Sequence, residues 1–440
     1  MINLEIIPIR NGIITGEENT FEVLMRASSD LAPTAGSNKR LPLNLSLVID
    51  RSGSMQGQPL IEAKKSAAML VDRMSADDQL SVIAYDDRVD VVFPVTKVTN
   101  KPLLKQLIGE IQPGGMTALY DGWSVGADQV SQFSTKKYFS RVLLLSDGQA
   151  NRGLVDEKTI SSECRSMADR GVTTSTYGLG LHFNESLMTV MANAGQGQSH
   201  YGQTADDLMD PFHEEFDLME AILAHRMKLR ILPELGVSFE VLNGYPQDQE
   251  GRFNLPDLAY EADVWALVKV TLAKNICNKP LGSLIKILTA TIDFLDTEGD
   301  EHRSNHSEIS LKILSQGAFA SLKINKTIQQ RSTELRAASL QEQAHIAARR
   351  EDWSRIDQIM EELDGLAHNN AWIKASLERL KFYSVGRHRE AFSKEAHYKS
   401  TRMRSRSVSR HEDNQSFSPA SEREVPSYMR RKLEQGKRQS

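Results

Sequence analysis

The fold is decided by one stretch of the chain, Leu45–Met55, which reads LSLVIDRSGSM. Its first part, Leu45–Ile49, is a mainly apolar run bounded by polar turn residues, which is typical of a strand covered on both faces of a parallel sheet. After a few loop residues, apolar side chains recur at helical spacing from Leu60 to Met74. The loop between strand and helix therefore lies beyond the carboxyl end of a strand, where open α/β sheets bind their ligands.

Oxygen-bearing side chains follow this strand at alternate positions, Asp50, Ser52 and Ser54, with Gly53 between the two hydroxyls. An extended or turning backbone at that spacing can aim all three side chains to one side. Hard oxygen ligands with few formal charges suit Mg²⁺, which keeps several waters and takes one or two carboxylates. Because Asp and Ser also favour helix-capping positions, these three residues alone leave a capping loop open as an alternative.

Two further stretches fall where partners of Asp50 are expected. Gly114–Ala118 is a flexible loop that brings the Thr117 hydroxyl to the start of a helix, and Leu143–Leu145 is a second apolar strand, followed closely by Asp147. In a doubly wound sheet these loops can lie at one edge, so that carboxylates and hydroxyls converge into a site of about six oxygens once waters and a partner are counted. A nucleophilic aspartate for phosphoryl transfer is the rival chemistry, but it requires a second acid where a serine stands.

The whole chain has 440 residues, too long for one ordinary core, and two or three domains are expected. It is 40% hydrophobic and 25% charged, and its net charge of -5 argues neither for nor against nucleic acid. Cys164 and Cys277 are the only cysteines, which excludes a disulfide framework and a cysteine zinc cluster. The N-terminus lacks a signal-peptide pattern and no window approaches the roughly 18 to 20 apolar residues of a membrane span, so we expect a cytoplasmic, soluble protein.

The order of elements predicts several domains. From Leu41 to His225 strands alternate with helices, which indicates a doubly wound α/β sheet whose last helix is predicted over Asp206–His225. Val89–Val95 follows its predecessor so closely that we expect it to be antiparallel. Later strands have no helices between them, which predicts a small antiparallel sandwich. The predicted segments are an N-terminal β addition (1–40), the α/β domain (41–225), a β-sandwich (226–327), a helical region (328–385) and a basic, disordered tail (386–440).

The candidate site residues resemble a known motif. The pattern Asp-x-Ser-x-Ser at Asp50, Ser52 and Ser54, with the separate Thr117 and Asp147, resembles the metal-ion-dependent adhesion site of von Willebrand factor A domains. The resemblance implies that Ser52, Ser54 and Thr117 contact Mg²⁺, with Mn²⁺ or Ca²⁺ as other candidates, while the two aspartates hold it directly or through water. All five positions are filled, so it also implies an intact site.

The resemblance covers roughly residues 41–225 and implies a Rossmann-like fold. The order of a β addition, an A domain, a β-sandwich and C-terminal helices also resembles a bacterial, intracellular subgroup related to inter-α-trypsin-inhibitor heavy chains. That wider likeness is less specific than the site motif.

These features favour a non-enzymatic, metal-dependent protein-interaction adaptor, which presents Mg²⁺ to an acidic residue of a partner protein within an intracellular assembly. The alternative is an enzyme subunit that recruits substrate to an AAA+ ATPase of the MoxR or chelatase type, or a protein of a tellurite-resistance-like stress-response cluster. Companions such as MoxR-type ATPases, kinases or phosphatases are expected by analogy only. We expect neither a nucleic-acid partner nor a membrane span.

Other motifs give no anchor for an enzyme, because the chain contains neither a P-loop nor a Gly-x-Ser-x-Gly sequence. The histidines at 182, 200, 213 and 225 lack paired zinc spacing, and we predict solvated or helix-surface positions for them. Trp353 and Trp372 are predicted to pack between C-terminal helices rather than to bind a partner.

The basic tail contains Ser405, Ser407 and Ser409 flanked by arginines. Three interpretations stay open for it: a solvated linker, a docking or phosphorylation segment, and a tether to nucleic acid or membrane.

Overall fold

The structure, a computed structural model, describes residues 2–29, 40–147, 150–180, 183–202, 206–368, 370–405 and 408–409. The chain divides into two compact units. One is built around residues 40–220, and the other combines residues 2–29 with most of those from Ala221 onward.

The strands are β1 (Ile2–Pro8), β2 (Ile13–Ile14), β3 (Asn19–Ser29), β4 (Leu43–Asp50), β5 (Gln79–Tyr85), β6 (Val89–Lys97), β7 (Phe139–Ser146), β8 (Val172–Leu179), β9 (Gln196–Gly202), β10 (Ile222–Pro233), β11 (Val237–Val241), β12 (Phe253–Asn254), β13 (Leu258–Ala259), β14 (Ala262–Leu272), β15 (Leu284–Leu295), β16 (Glu301–Arg303), β17 (Ser307–Leu314) and β18 (Val408–Ser409). The helices are α1 (Gln58–Arg73), α2 (Lys101–Gly109), α3 (Leu119–Ser131), α4 (Glu157–Asp169), α5 (Glu185–Ala194), α6 (Asp206–Ala221), α7 (Lys274–Cys277), α8 (Gln316–Ala320), α9 (Lys326–Arg349), α10 (Trp353–Ala367), α11 (Ala371–Val385) and α12 (Arg389–Ser405). None of the helices within the described ranges is both long and apolar enough to cross a membrane.

The first unit contains a six-stranded sheet in the order β6-β5-β4-β7-β8-β9. β4 lies at its centre, every residue of β4 is buried, and it pairs in parallel with β5 and β7. The parallel pairing continues through β8 to β9, whereas β6 is antiparallel to β5. The predicted doubly wound α/β fold is therefore confirmed, as is the antiparallel strand after Arg88.

Helix α3 packs against the central strands. Trp123 and Ala127 of this helix share one buried apolar cluster with Val48 of β4 and Leu144 of β7. A Cβ atom at Gly126 would lie 2.4 Å from Cγ2 of Val48, so the helix approaches the strand as closely as glycine permits. This packing holds the start of α3 beside the carboxyl ends of β4 and β7.

The N-terminal strands belong to the second unit. β3 pairs with β1 and with β14 in a sheet ordered β1-β3-β14-β11, and β2 pairs in parallel with β17 in a second sheet ordered β12-β10-β15-β17-β2. The apolar faces of both sheets contribute to a single buried cluster. The N-terminal residues thus complete the sandwich, because the backbone groups of β3 are bonded to strands on both of its sides.

The helix predicted to reach His225 ends earlier. α6 ends at Ala221. The next residue, Ile222, begins β10 and pairs with Ala259 of β13. Ladder hydrogen bonds to β13 and β15 satisfy the backbone there, so the extended conformation replaces the last predicted turn of helix.

The prediction of a disordered tail from residue 386 is wrong for residues 389–405, because these residues form α12. Phe392, Ala396 and Met403 of this helix are buried in one cluster with apolar residues of α9, α10 and α11. Few apolar residues are present in this charged segment, but packing against α9 supplies the stability that its composition does not reveal.

The Trp353 ring contacts Phe392 edge to face at 6.2 Å, in line with the predicted packing role. The side chain of Trp372, the serine at 407 and residues 410–440 lie outside the described residues.

Candidate metal centre

The candidate site begins at Asp50, the last residue of β4, whose side chain is fully buried. Its Oδ1 accepts a hydrogen bond of 2.8 Å from the backbone N–H of Ser52, and its Oδ2 accepts one of 2.6 Å from the Ser146 hydroxyl. Because both oxygens are held, the carboxylate has one fixed orientation at the end of the strand.

The hydrogen-bond chain continues to the other aspartate. The hydroxyl oxygens of Ser52 and Ser54 lie 3.2 Å apart, and the Ser54 hydroxyl donates to Oδ1 of Asp147 at 2.8 Å. Four of the five residues predicted from the sequence are thus joined into one network, with Ser146 as an additional member. Ser146 was not predicted, although its position directly before Asp147 at the end of β7 was a signal for it.

Thr117 reaches the same sheet edge through its loop. The N–H of Gly53 donates to the carbonyl of Gly115 at 2.9 Å, and that of Gly114 donates to the carbonyl of Arg51 at 2.7 Å. The Thr117 side chain is buried, and its backbone N–H donates to Oδ1 of Asn151 at 3.1 Å. Among the described residues, the Thr117 hydroxyl takes no part in the chain that joins the other four, so its role as a ligand stays a prediction.

Asp86 organises this loop and was also missed from the sequence. Its carboxylate accepts N–H groups from Gly115 at 3.1 Å and Arg88 at 2.8 Å, and it lies 3.4 Å from the Arg51 guanidinium. Burial opposes ionisation, but these hydrogen bonds and the Arg51 charge hold the pKa of Asp86 below its usual range. The negative charge of Asp86 is therefore compensated by its neighbours, unlike the charges of Asp50 and Asp147.

The two candidate carboxylates lack such compensation. Burial raises the pKa of Asp50 to about 6, against the hydrogen bonds from Ser146 and Ser52, and burial also raises the pKa of Asp147. Within the described part of the chain, no Lys, Arg or His side chain forms an ion pair with either of them. A divalent cation would supply the missing positive charge, and the donor set of carboxylate and hydroxyl oxygens fits a hard ion.

Two of the histidines are placed differently from the prediction. His200 and His225 are buried rather than solvated. Nε2 of His200 lies 2.9 Å from Oε2 of Glu215, a fully buried carboxylate that also contacts Arg141 at 2.8 Å. The hydrogen bond to this carboxylate explains why an imidazole is stable inside the domain. His182 lies outside the described residues.

Comparison with known proteins defines the class. Residues 44–214 match the family model of the von Willebrand factor type A domain. Residues 44–214 therefore form a von Willebrand factor A domain, as the resemblance of the site motif predicted.

Several curated proteins are similar to part of the chain. The chain is 33% identical over 189 residues to the uncharacterized protein sll0103 of Synechocystis sp., covering 42% of this chain and 43% of that protein. It is 28% identical to the uncharacterized protein YfbK of Escherichia coli, covering 46% and 36%, and 26% identical to human inter-alpha-trypsin inhibitor heavy chain H3, covering 40% and 21%. The chain thus spans less than half the length of these relatives.

Solved structures show the same fold over most of the chain. A von Willebrand factor type A protein from Catenulispora acidiphila has a TM-score of 0.66 at 15% identity, covering 86% of this chain and 89% of that one. The ArnB paralog VWA2 from Sulfolobus acidocaldarius has a TM-score of 0.61 at 15% identity, covering 92% and 98%. At this identity the likeness concerns the fold alone.

Proposed function

We propose that this chain is a metal-dependent adaptor, which binds a divalent cation at its A domain and presents that cation to an acidic residue of a partner protein. The proposed ligands are Asp50, Ser52, Ser54, Thr117 and Asp147. The observation that carries the proposal is the pair of uncompensated carboxylates, Asp50 and Asp147, joined through Ser52 and Ser54 at one sheet edge. Mg²⁺ is the proposed ion, with Mn²⁺ and Ca²⁺ as alternatives.

The composition of the site explains why a partner carboxylate would be favoured. Two carboxylates neutralise the formal charge of a divalent ion only when both are ionised, and the remaining ligands are neutral hydroxyls and water. Where a carboxylate holds the ion through water rather than directly, the inner shell keeps neutral ligands and the ion remains electrophilic toward a partner carboxylate. A partner's Asp or Glu would replace a water and gain a charge-assisted contact.

The exposed residues around the site suit contact with the surface of a partner protein. Ser54 is exposed, and the side chain of Met116, next to Thr117, is 50% exposed. A flexible thioether beside a cation offers an apolar contact that adapts to a partner. Partner binding would therefore combine one metal-carboxylate bond with local apolar burial.

A non-enzymatic role within a cytoplasmic assembly belongs to the same proposal. An association with a MoxR-type ATPase, kinase or phosphatase remains a prediction from the sequence. An ATPase reading frame next to the gene would favour the substrate-recruiting alternative.

The test is an affinity capture from native lysate with full-length protein in Mg²⁺ and in EDTA, together with Asp50→Ala and Thr117→Ala. Asp128→Ala is the matched control, because Asp128 is an exposed aspartate of α3 outside the hydrogen-bond network of the site. The proposal expects a partner captured by wild type and Asp128→Ala in Mg²⁺, and lost in EDTA and in both site variants. Circular dichroism must show that each variant is folded.

A partner retained under all of these conditions would overturn the proposal, since binding would then use another surface. Calorimetric titration with MgCl₂ and MnCl₂ provides the direct measurement of the ion. No heat of binding to wild-type protein with either salt would equally contradict it.

A further inference from the structure

Three side chains of metal-ligating type converge between α9 and α12, far in sequence from the A-domain site. Glu342 and His345 are three residues apart on α9 and therefore lie on one face of that helix, while His397 lies on α12. One ligand atom from each of the three lies within 4.8 Å of the other two. We refer to these three residues as the helical cluster.

The side chains of the helical cluster are already in mutual contact. Nδ1 of His397 lies 2.9 Å from Oε2 of Glu342, and the rings of His345 and His397 are 4.6 Å apart between centroids. In a tetrahedral zinc site with bonds of about 2.0 to 2.1 Å, neighbouring ligand atoms are about 3.3 Å apart. Small side-chain rotations would therefore bring one ligand atom each of Glu342, His345 and His397 to bonding distance of a single ion.

The tautomer of His345 suits metal binding. Its Nδ1 lies 3.1 Å from the backbone carbonyl of Ser393 and 2.9 Å from the Ser393 hydroxyl. A carbonyl oxygen can only accept, so Nδ1 carries the proton, and Nε2 is the basic nitrogen of the neutral ring. A backbone carbonyl that orients an imidazole in this way is a usual outer-sphere partner of a metal-binding histidine.

His397 carries the second observation that points to a ligand. Within the described residues, its Nε2 is buried and has no hydrogen-bond partner. A buried polar atom without a partner destabilises the fold, and such an atom needs an explanation in a packed structure. A bound cation would give the imidazole a second electrostatic partner besides the Glu342 carboxylate.

We propose that Glu342, His345 and His397 form a second metal site, which binds a zinc-type divalent ion and ties α12 to α9. Two imidazoles and one carboxylate are a ligand set that proteins use for Zn²⁺ with a fourth position left for water. The ligand type separates it from the A-domain site, because imidazole favours Zn²⁺ over the Mg²⁺ that an oxygen-only site prefers.

Access to this site is possible through Glu342. His345 is buried and the His397 side chain is 17% exposed, whereas the Glu342 side chain is 32% exposed and lies at the rim. The charge of Arg404 also reaches Glu342 and would weaken cation binding. Removing that charge should therefore strengthen it.

The alternative is a metal-free contact between His397 and Glu342, with His345 packed beside it. Both arrangements predict that the cluster stabilises the helices, so stability alone does not separate them. Only the metal site predicts a zinc ion bound by the two imidazoles.

The experiment titrates ZnCl₂ into full-length, metal-stripped protein that carries Asp50→Ala, so that the A-domain site does not contribute. We expect one zinc ion per chain, at least about tenfold weaker binding in His345→Gln and His397→Gln, and tighter binding in Arg404→Gln. The matched control is His302→Gln, which removes another histidine that lies 2.7 Å from a carboxylate oxygen, that of Asp296. Binding in this control should be unchanged.

Spectroscopy with Co²⁺ gives a second readout that does not depend on the histidine variants, and circular dichroism must show that the Asp50→Ala chain is folded. The helical cluster predicts visible absorption bands of a four- or five-coordinate ion in the Asp50→Ala chain. Absence of zinc binding to that chain would overturn the proposal, as would zinc binding unaffected by His345→Gln and His397→Gln when circular dichroism shows both to be folded. Neither result bears on the proposed adaptor function, because the A-domain site is tested separately.

Discussion

The Ser146 hydroxyl donates to Oδ2 of Asp50 over 2.6 Å and joins the carboxyl ends of two adjacent parallel strands. This bond depends on the register of β7 against β4, in which Ile49 lies opposite Leu145. The same serine directly precedes Asp147, so one residue couples the positions of both candidate carboxylates. We infer that Ser146 positions the candidate metal ligands without being one.

Replacing this serine should weaken metal binding. In Ser146→Ala the Asp50 carboxylate loses a charge-assisted hydrogen bond of about 1.5 to 3 kcal/mol, and the affinity for Mg²⁺ should fall roughly tenfold or more. Calorimetric titration with MgCl₂ measures the change. Ser46→Ala is the control, because the Ser46 hydroxyl is buried in β4, the strand of Asp50, and has no hydrogen-bond partner among the described residues. Equal affinities of the two variants would show that Ser146 does not position the site.

Asp50 should destabilise the metal-free domain at neutral pH. Its folded pKa of about 6 lies above the ordinary 3.8, so the folded state binds more protons between these values and stability falls as pH rises from about 4 to 6. The accumulated cost at pH 7.5 is of the order of 3 kcal/mol. Asp50→Asn should therefore raise the free energy of unfolding by about 1 to 3 kcal/mol in EDTA.

Added Mg²⁺ should make the wild-type protein more stable than Asp50→Asn, the reverse of the order expected in EDTA. Wild type should gain stability with Mg²⁺ at pH 7.5, with a smaller gain below pH 6 because protons compete for Asp50, whereas Asp50→Asn should gain little. Scanning calorimetry across pH with and without Mg²⁺ measures both effects. A destabilised Asp50→Asn protein in EDTA would show that the carboxylate is already compensated in the metal-free fold.

The contribution of Glu215 to stability should depend on pH in the opposite direction to that of Asp50. Burial opposes its ionisation, but His200 and Arg141 together lower its pKa from 4.5 to about 2. Its stabilising contribution is therefore complete above about pH 4.5 and is lost as pH falls toward 2. Glu215→Ala removes the carboxylate that pairs with buried Arg141 and should cost about 3 to 5 kcal/mol.

Thermal unfolding at pH 7 checks this expectation, with Glu163→Ala on the exposed face of α4 as the control. A loss below about 1 kcal/mol in Glu215→Ala would mean that the network contributes little beyond packing.

Asp86 should act on the metal site through the Thr117 loop. Asp86→Ala removes the acceptor of the Gly115 and Arg88 N–H groups, so the loop from 114 to 118 should exchange amide hydrogens faster and the affinity for Mg²⁺ should fall. Mass-spectrometric hydrogen exchange and titration give the two readouts. Faster exchange without a change in affinity would argue that Thr117 is not a ligand, which makes this variant a direct test of the least constrained member of the site.

The sequence alone determined the features that depend on one element at a time. The apolar run before Asp50, the alternation of oxygen donors after it and the helical spacing beyond it are local patterns, because side-chain direction within a strand or helix follows its own period. These patterns were sufficient to predict the α/β fold and to select Asp50, Ser52, Ser54 and Asp147, which the structure joins in one network.

Only the tertiary structure decided the contacts between residues far apart in the chain. The Ser146–Asp50 bond requires a particular strand register, the burial of His200 requires Glu215 of another element, and α12 exists as a packed helix because α9 lies beside it. The approach of His397 to Glu342 has the same origin. Such contacts arise from the packing of whole elements, and the period of a single segment does not specify which residue of another segment it will meet.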